Sequence, residues 1–263
     1  MKRLFWFGIL IVGTLNSIWA QNWKSKTEHA DFVHRAIKQV TDVMVYDIYS
    51  PPVTSRTYAY VSVAAYETLI QDQKDYISLA GQLNGLGPVP VPDKKREYSL
   101  TLAAVHAILT SGKSFVISEE KIDDFEKRIL QEFKDIGIPD DVFDNSLAYG
   151  QQVATHILKW AAEDKYKETR SLPQYSVKND SASWKPTPPA YIKAIEPNWN
   201  KLRTFLIDSA AQFKPVAPPP FSLDSSSVFY KDVIAVYNQV QKNTEEEIEI
   251  AKFWDCNPRM AIG

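Results

Sequence analysis

Four histidines, His29, His34, His106 and His156, are the side chains best suited to proton transfer or metal ligation. His29 and His34 stand five positions apart, whereas two ligands on one helical face stand three or four apart, so solvent or core imidazoles are the simpler reading. Neither an HExxH helix, an EF-hand loop, a glycine-rich phosphate loop nor a G-x-S-x-G elbow occurs. The single cysteine, Cys256, excludes an internal disulfide framework and any thiolate cluster. Acidic groups at Glu119, Glu120, Asp123 and Asp124, and at Glu245, Glu246, Glu247 and Glu249, fall at helix starts, where the helix dipole and solubility account for them. Lys252 and Arg259 lie seven positions apart, a pair that could grip a tetrahedral oxyanion. A surface lysine at a helix end and an arginine in the tail beyond it is the simpler reading. This spacing assigns no catalytic, cofactor-binding or metal-ligating residue.

The elements that would position such groups are helices. Phe32, Val33, Ile37, Val40, Met44 and Val45 recur at helical spacing until Ser50-Pro51-Pro52 stops the pattern. A second helix is predicted from Thr54 or Ser55 through Leu69, with small residues at Ala59, Ala64 and Ala65 that permit close packing. A loop punctuated by glycine and proline follows over 78–93, and helix resumes near Glu97. Ser118 reads as the cap of an amphipathic helix carrying Phe125, Ile129, Leu130 and Phe133, closed by Gly137 and Pro139. A longer helix spans Asp140 to Asp164, and no stretch alternates with period two for long enough to make a strand. Residues 184–220 hold eight of the sixteen prolines, interleaved with Trp184, Tyr191, Trp199, Phe205 and Phe213. That much aromatic surface is rarely left in water, so this connection is expected to wrap over the helical body. Helices return at 226–240 and 244–254, the second opened by a Thr244/Glu247 capping box.

Composition narrows the setting. Of 263 residues, 44% are hydrophobic and 24% charged, which rules out disorder as the main state. Thirty basic against 32 acidic residues leave a net charge of −2 with no basic block, so no nucleic-acid partner is expected. Met1-Lys2-Arg3, the apolar stretch to Leu15 and the small residue Ala20 form a secretory signal peptide over residues 1–20. The apolar run is too short to span a bilayer. A secreted or periplasmic protein with no stable membrane span after leader removal follows. Four regions result: the leader 1–20, an N-terminal helical region 21–183, a Pro/aromatic-rich connection 184–225, and the start of a second helical region 226–263.

Ser50-Pro51-Pro52-Val53-Thr54-Ser55-Arg56 leading into Tyr58-Ala59-Tyr60 and Ala64-Ala65-Tyr66-Glu67, then Trp184 to Pro189, Pro197-Asn198-Trp199 and Ile250-Ala251-Lys252-Phe253-Trp254-Asp255, follow one another in a recognisable order. The chain resembles the N-terminal half of the vanadium-dependent haloperoxidases, relatives of the type 2 phosphatidic acid phosphatases. The resemblance implies an all-α helical bundle of the vanadium haloperoxidase/acid phosphatase type, with the C-terminal half missing from this chain. In that family a lysine and two arginines neutralise a vanadate or phosphate, a serine and a glycine amide donate to it, and two histidines act as ligand or nucleophile and as acid or base. The family signatures are Lys-x6-Arg-Pro, Pro-Ser-Gly-His and Ser-Arg-x5-His-x3-Asp, of which the last two are absent here. Lys252 and Arg259 have the first spacing, but Met260 stands in place of the proline. No catalytic residue is therefore carried over. Vanadate would belong to a full-length parent, acting on halides or on phosphate esters, and this portion alone is expected to be inactive. Self-association through exposed apolar helix faces is a further expectation. The other reading left open is an exported, non-enzymatic helical binding module.

Overall fold

The computed structural model describes residues 23–188 and 190–255. Residues 1–20, expected from the sequence to be a signal peptide, and Cys256 and Arg259 lie outside the described residues. The chain divides after Asp164 into two compact units.

The first unit carries α1 (Asp31–Tyr46), α2 (Pro51–Leu69), α3 (Leu100–Lys113), α4 (Glu119–Asp135) and α5 (Asp140–Ala162). Helix α3 is central and packs against the other four. Its sequence explains that position: Leu102, Ala103, Ala104, Val105, Ala107, Ile108 and Leu109 are all fully buried, as expected of a helix that is apolar on every side. Small residues set its approach to two neighbours. A Cβ on Gly150 of α5 would lie 2.3 Å from the Ala103 carbonyl oxygen, and one on Gly112 of α3 would meet a Val40 methyl of α1 at 2.6 Å. Phe32 of α1 closes on Phe133 of α4 with ring centroids 4.3 Å apart.

Two helix starts differ from the sequence expectation. Helix α2 begins at Pro51 rather than at Thr54 or Ser55. The first turn of a helix has no partner for its N–H groups, so the proline pair ends no helix there and instead opens one with φ already set. Ser118 does precede α4, but its side chain makes no capping bond to that helix. Its Oγ donates to Asp47 Oδ1 at 2.6 Å, while Ser118 N and Ile117 N donate to Asp47 Oδ2 at 3.1 and 2.8 Å. A carboxylate just beyond α1 thus caps the turn between α3 and α4.

Burial raises the Asp47 pKa, but the Ser118 and Ile117 donors, with the nearby Lys121 charge, outweigh it and hold the carboxyl below its ordinary value. A depressed folded pKa stabilises the fold above the unfolded value of about 3.9 and loses that contribution as pH falls through the folded value. Asp47→Asn is expected to cost about 1–2 kcal/mol at neutral pH, and to remove part of the acid limb of a plot of urea midpoint against pH. An unchanged acid limb would remove Asp47 from the account.

The second unit, taken by itself, contains a short helix α6 (Tyr166–Thr169), a single tight turn at Trp199–Lys201, and the helices α7 (Val228–Val240) and α8 (Glu245–Trp254). The stretch between α6 and α7 has little other regular structure, as its prolines dictate. Arg170 pairs with Glu196 at 2.8 Å, and Tyr166 meets Trp199 edge to face with centroids 6.2 Å apart. Ser227 Oγ accepts from Tyr230 N at 3.1 Å to open α7. The capping box of α8 forms as its spacing predicts: Thr244 N donates to Glu247 Oε2 at 2.7 Å and Glu247 N to Thr244 Oγ1 at 3.3 Å. Neither α7 nor α8 has a buried residue. Among the described residues there is no strand, and no helix is long and apolar enough to cross a membrane.

Candidate functional site

The first unit holds a buried polar cluster assembled by α2 and the end of α5. Arg56 sits on an apolar helix that is buried on several sides, where an unpaired charge would be very costly, so its partner is a structural requirement. That partner is Asp164: Arg56 Nε donates to its Oδ2 at 2.6 Å, and the Tyr60 hydroxyl donates to the same oxygen at 2.9 Å. A further guanidinium nitrogen of Arg56 donates to the Ala161 carbonyl at 3.3 Å. The guanidinium carbon stands 5.0 Å from the ring centre of Tyr60 and 5.2 Å from that of Phe115. Tyr60 in turn meets Trp160 edge to face at 5.0 Å, and Trp160 Nε1 donates to the Asn84 carbonyl at 3.0 Å. Arg56 and Tyr60 lie four apart on one face of α2, a pairing readable in the sequence. Asp164 had no such signal, because it stands two positions beyond the end of α5, more than a hundred positions from Arg56.

A second feature is a cleft of about 550 Å³ beside the end of α2, with Glu67, Ile70, Gln71, Ser78, Leu86 and Val91 among its lining residues. Glu67 is fully buried. Its Oε1 accepts from Leu79 N at 2.6 Å and its Oε2 from Ser78 Oγ at 2.8 Å, which ties the loop after α2 back onto that helix.

The histidines do not converge. His29 Nδ1 accepts from the backbone N–H of Asp31 at 3.2 Å, within its own turn, and His34 is exposed. His106 Nδ1 lies 2.6 Å from Glu126 Oε1, linking α3 to α4. His156 on α5 has its Nε2 buried with no hydrogen-bond partner among the described residues. Lys252 pairs with Glu249 at 2.7 Å on the exposed side of α8. Among the early acidic groups, Asp123 holds Lys113 at 2.6 Å, a link between α3 and α4. Among the described residues, no group of three His, Cys, Asp or Glu side chains could hold a metal ion.

No family model matches the chain, and no curated protein matches it. A solved structure does. The crystal structure of the first bacterial vanadium-dependent iodoperoxidase is 44% identical to it, with a TM-score of 0.83, over 88% of this chain and 57% of that one. The chain therefore spans less than two thirds of its structural relative. It is an all-helical protein with the haloperoxidase fold. Its relationship is to the vanadium haloperoxidase superfamily, as its residue order implied.

Vanadate is an oxyanion and requires converging cations and hydrogen-bond donors. The described clusters do not fit it. The Arg56 guanidinium is already bound to Asp164, and the two side chains are 9% and 3% exposed, so an oxyanion there would have to displace a buried carboxylate. The cleft carries the Glu67 carboxylate and no lysine, arginine or histidine among its lining residues. Both arrangements hold helices and loops in place. The Arg56 cluster locks α2 to the end of α5, and Glu67 anchors the following loop.

Proposed function

We propose that this chain forms the helical scaffold portion of an exported vanadium haloperoxidase-type enzyme, whose reaction is peroxide-dependent oxidation of halide, with iodide as the first substrate to test. The observation that carries this reading is the 44% identity to a vanadium-dependent iodoperoxidase at a TM-score of 0.83. The oxyanion-binding residues come from polypeptide outside the described residues, and the chain by itself turns over neither halide nor phosphate ester.

The test is a triiodide absorbance assay on the purified chain with vanadate, iodide and hydrogen peroxide, run beside a chromogenic phosphate ester. The expected rate equals that of vanadate in buffer. Saturable turnover by the chain alone would overturn the scaffold reading. Turnover of phosphate esters and not iodide would move the parent to phosphatase chemistry. Export is checked separately, by N-terminal sequencing of the protein recovered outside the cytoplasm, with the first residue expected near Gln21.

A further inference from the structure

Residues 87–92, Gly-Pro-Val-Pro-Val-Pro, run along the cleft beside the end of α2. Gly87, Val89 and Val91 each precede a proline, which holds them in extended backbone, and the ring of each proline fixes its own φ. The run belongs to no helix or strand, yet it is tied down along its length. Leu83 and Leu86 before it are buried, and Trp160 Nε1 donates to the Asn84 carbonyl. After it, Asp93 N donates to the Tyr98 hydroxyl at 3.2 Å, and the Tyr98 ring meets that of Tyr149 edge to face with centroids 5.8 Å apart. In its middle, the Tyr149 hydroxyl donates to the Pro90 carbonyl at 3.2 Å.

The bond to Pro90 sets the direction of the two edges. Successive peptide groups of an extended chain face opposite sides, so with the Pro90 carbonyl turned to α5, the N–H and C=O groups of Val89 and Val91 share the other edge. Val89 and Val91 line the cleft and Pro90 does not. Among the described residues, none of these four valine backbone groups makes a hydrogen bond. The edge facing Tyr149 carries only proline nitrogens, which leaves one edge able to pair. Donors and acceptors at every second residue, beside the apolar side chains of Ile70 and Leu86, are what an extended peptide reads when it adds as a strand. Most charges near the run are engaged. Glu67, the charged group among the lining residues, is fully buried and accepts from Ser78 and Leu79. Asp93 lies 3.8 Å from Arg96, and Glu97 pairs with Lys24. Lys94 and Lys95 are exposed and enter no ion pair among the described residues, so free positive charge stands just past the C-terminal end of the run, where acidic side chains of a bound strand would meet it.

We infer that the free edge of residues 89–91 is a docking site for an extended peptide of a separate polypeptide, with β-branched residues over the cleft and acidic residues beside Lys94 and Lys95. The probes are two synthetic peptides of alternating valine and threonine, one with two aspartates at its N-terminus and one with them at its C-terminus, because the added strand can run antiparallel or parallel. Mixed with the full chain, one of them is expected to slow exchange of the Val89 and Val91 amides at least tenfold while light scattering shows one copy of the chain per complex. Val91→Pro, at a position 69% exposed whose extended backbone suits proline, removes one donor and should weaken binding at least tenfold at an unchanged thermal midpoint. Lys94→Glu/Lys95→Glu should weaken binding of the same peptide and accept its counterpart ended in lysines, a reversal that tests the site even where the proline variant fails to fold. The inference is overturned if neither peptide slows those amides, if they are already protected in the free monomer, if the protection arises in a homodimer, or if either folded variant binds as the parent does.

Discussion

Replacing Gly150 by alanine is expected to lower the thermal midpoint of the chain by roughly 5–10 °C, corresponding to about 2–3 kcal/mol. The new methyl would sit 2.3 Å from the carbonyl oxygen of Ala103, far inside van der Waals contact. That oxygen belongs to the backbone of α3, so no rotamer change can relieve the clash and the two helices must separate. Separation is costly here because α3 is fully buried from Leu102 to Leu109 apart from His106, and close-packed interiors lose dispersion contacts with small displacements. Gly112→Ala meets only side-chain atoms of Val40, nearest at 2.6 Å, and should cost less because a valine can adjust. Gly87→Ala, with nothing within 4 Å of its new methyl, is the neutral control. Calorimetry on the three variants checks the order. If Gly150→Ala melts with Gly87→Ala, the tight α3–α5 approach does not exist in solution.

Much of this architecture is legible in the sequence alone, and the reasons differ by element. The face of α4 and the extent of α5 follow from apolar periodicity, and the α8 capping box from two residues three apart, since local patterns need only local information. The start of α2 escapes the sequence because a proline pair reads as a stop in mid-helix and as an opening at the first turn, and only the position within the helix decides which. Ser118 misleads for a related reason. A serine before a run of acids satisfies every local rule for a side-chain cap, yet a carboxylate some seventy residues earlier, Asp47, claims its hydroxyl. The same limit hides the buried cluster: Arg56 and Tyr60 stand in the motif that opens at Ser50, but a carboxylate 108 positions beyond Arg56, Asp164, completes it. The resemblance, carried by the order of short motifs, is upheld by a match covering 88% of the chain.

That buried cluster yields the second large effect. Arg56→Met or Asp164→Asn, made singly, is expected to destabilise the chain by about 3–5 kcal/mol, because each leaves its former partner uncompensated in the interior. Tyr60→Phe removes one bond to Asp164 Oδ2 and keeps the ring between Phe115 and Trp160, so it should cost nearer 1 kcal/mol. The informative variant is the pair Arg56→Met/Asp164→Leu. If the ion pair chiefly satisfies itself, the double variant recovers most of either single loss, since well-packed apolar groups can replace a buried pair at little net cost. If it instead positions α2 against the end of α5, the double variant regains stability in urea while the amides of Arg56 to Tyr60 exchange faster than in the parent. Additivity of the two single losses would refute a direct coupling between the side chains. Recovery with unchanged exchange would make the pair a dispensable occupant of a well-packed site. Faster exchange in the double variant would make the pair the contact that positions α2 against the end of α5.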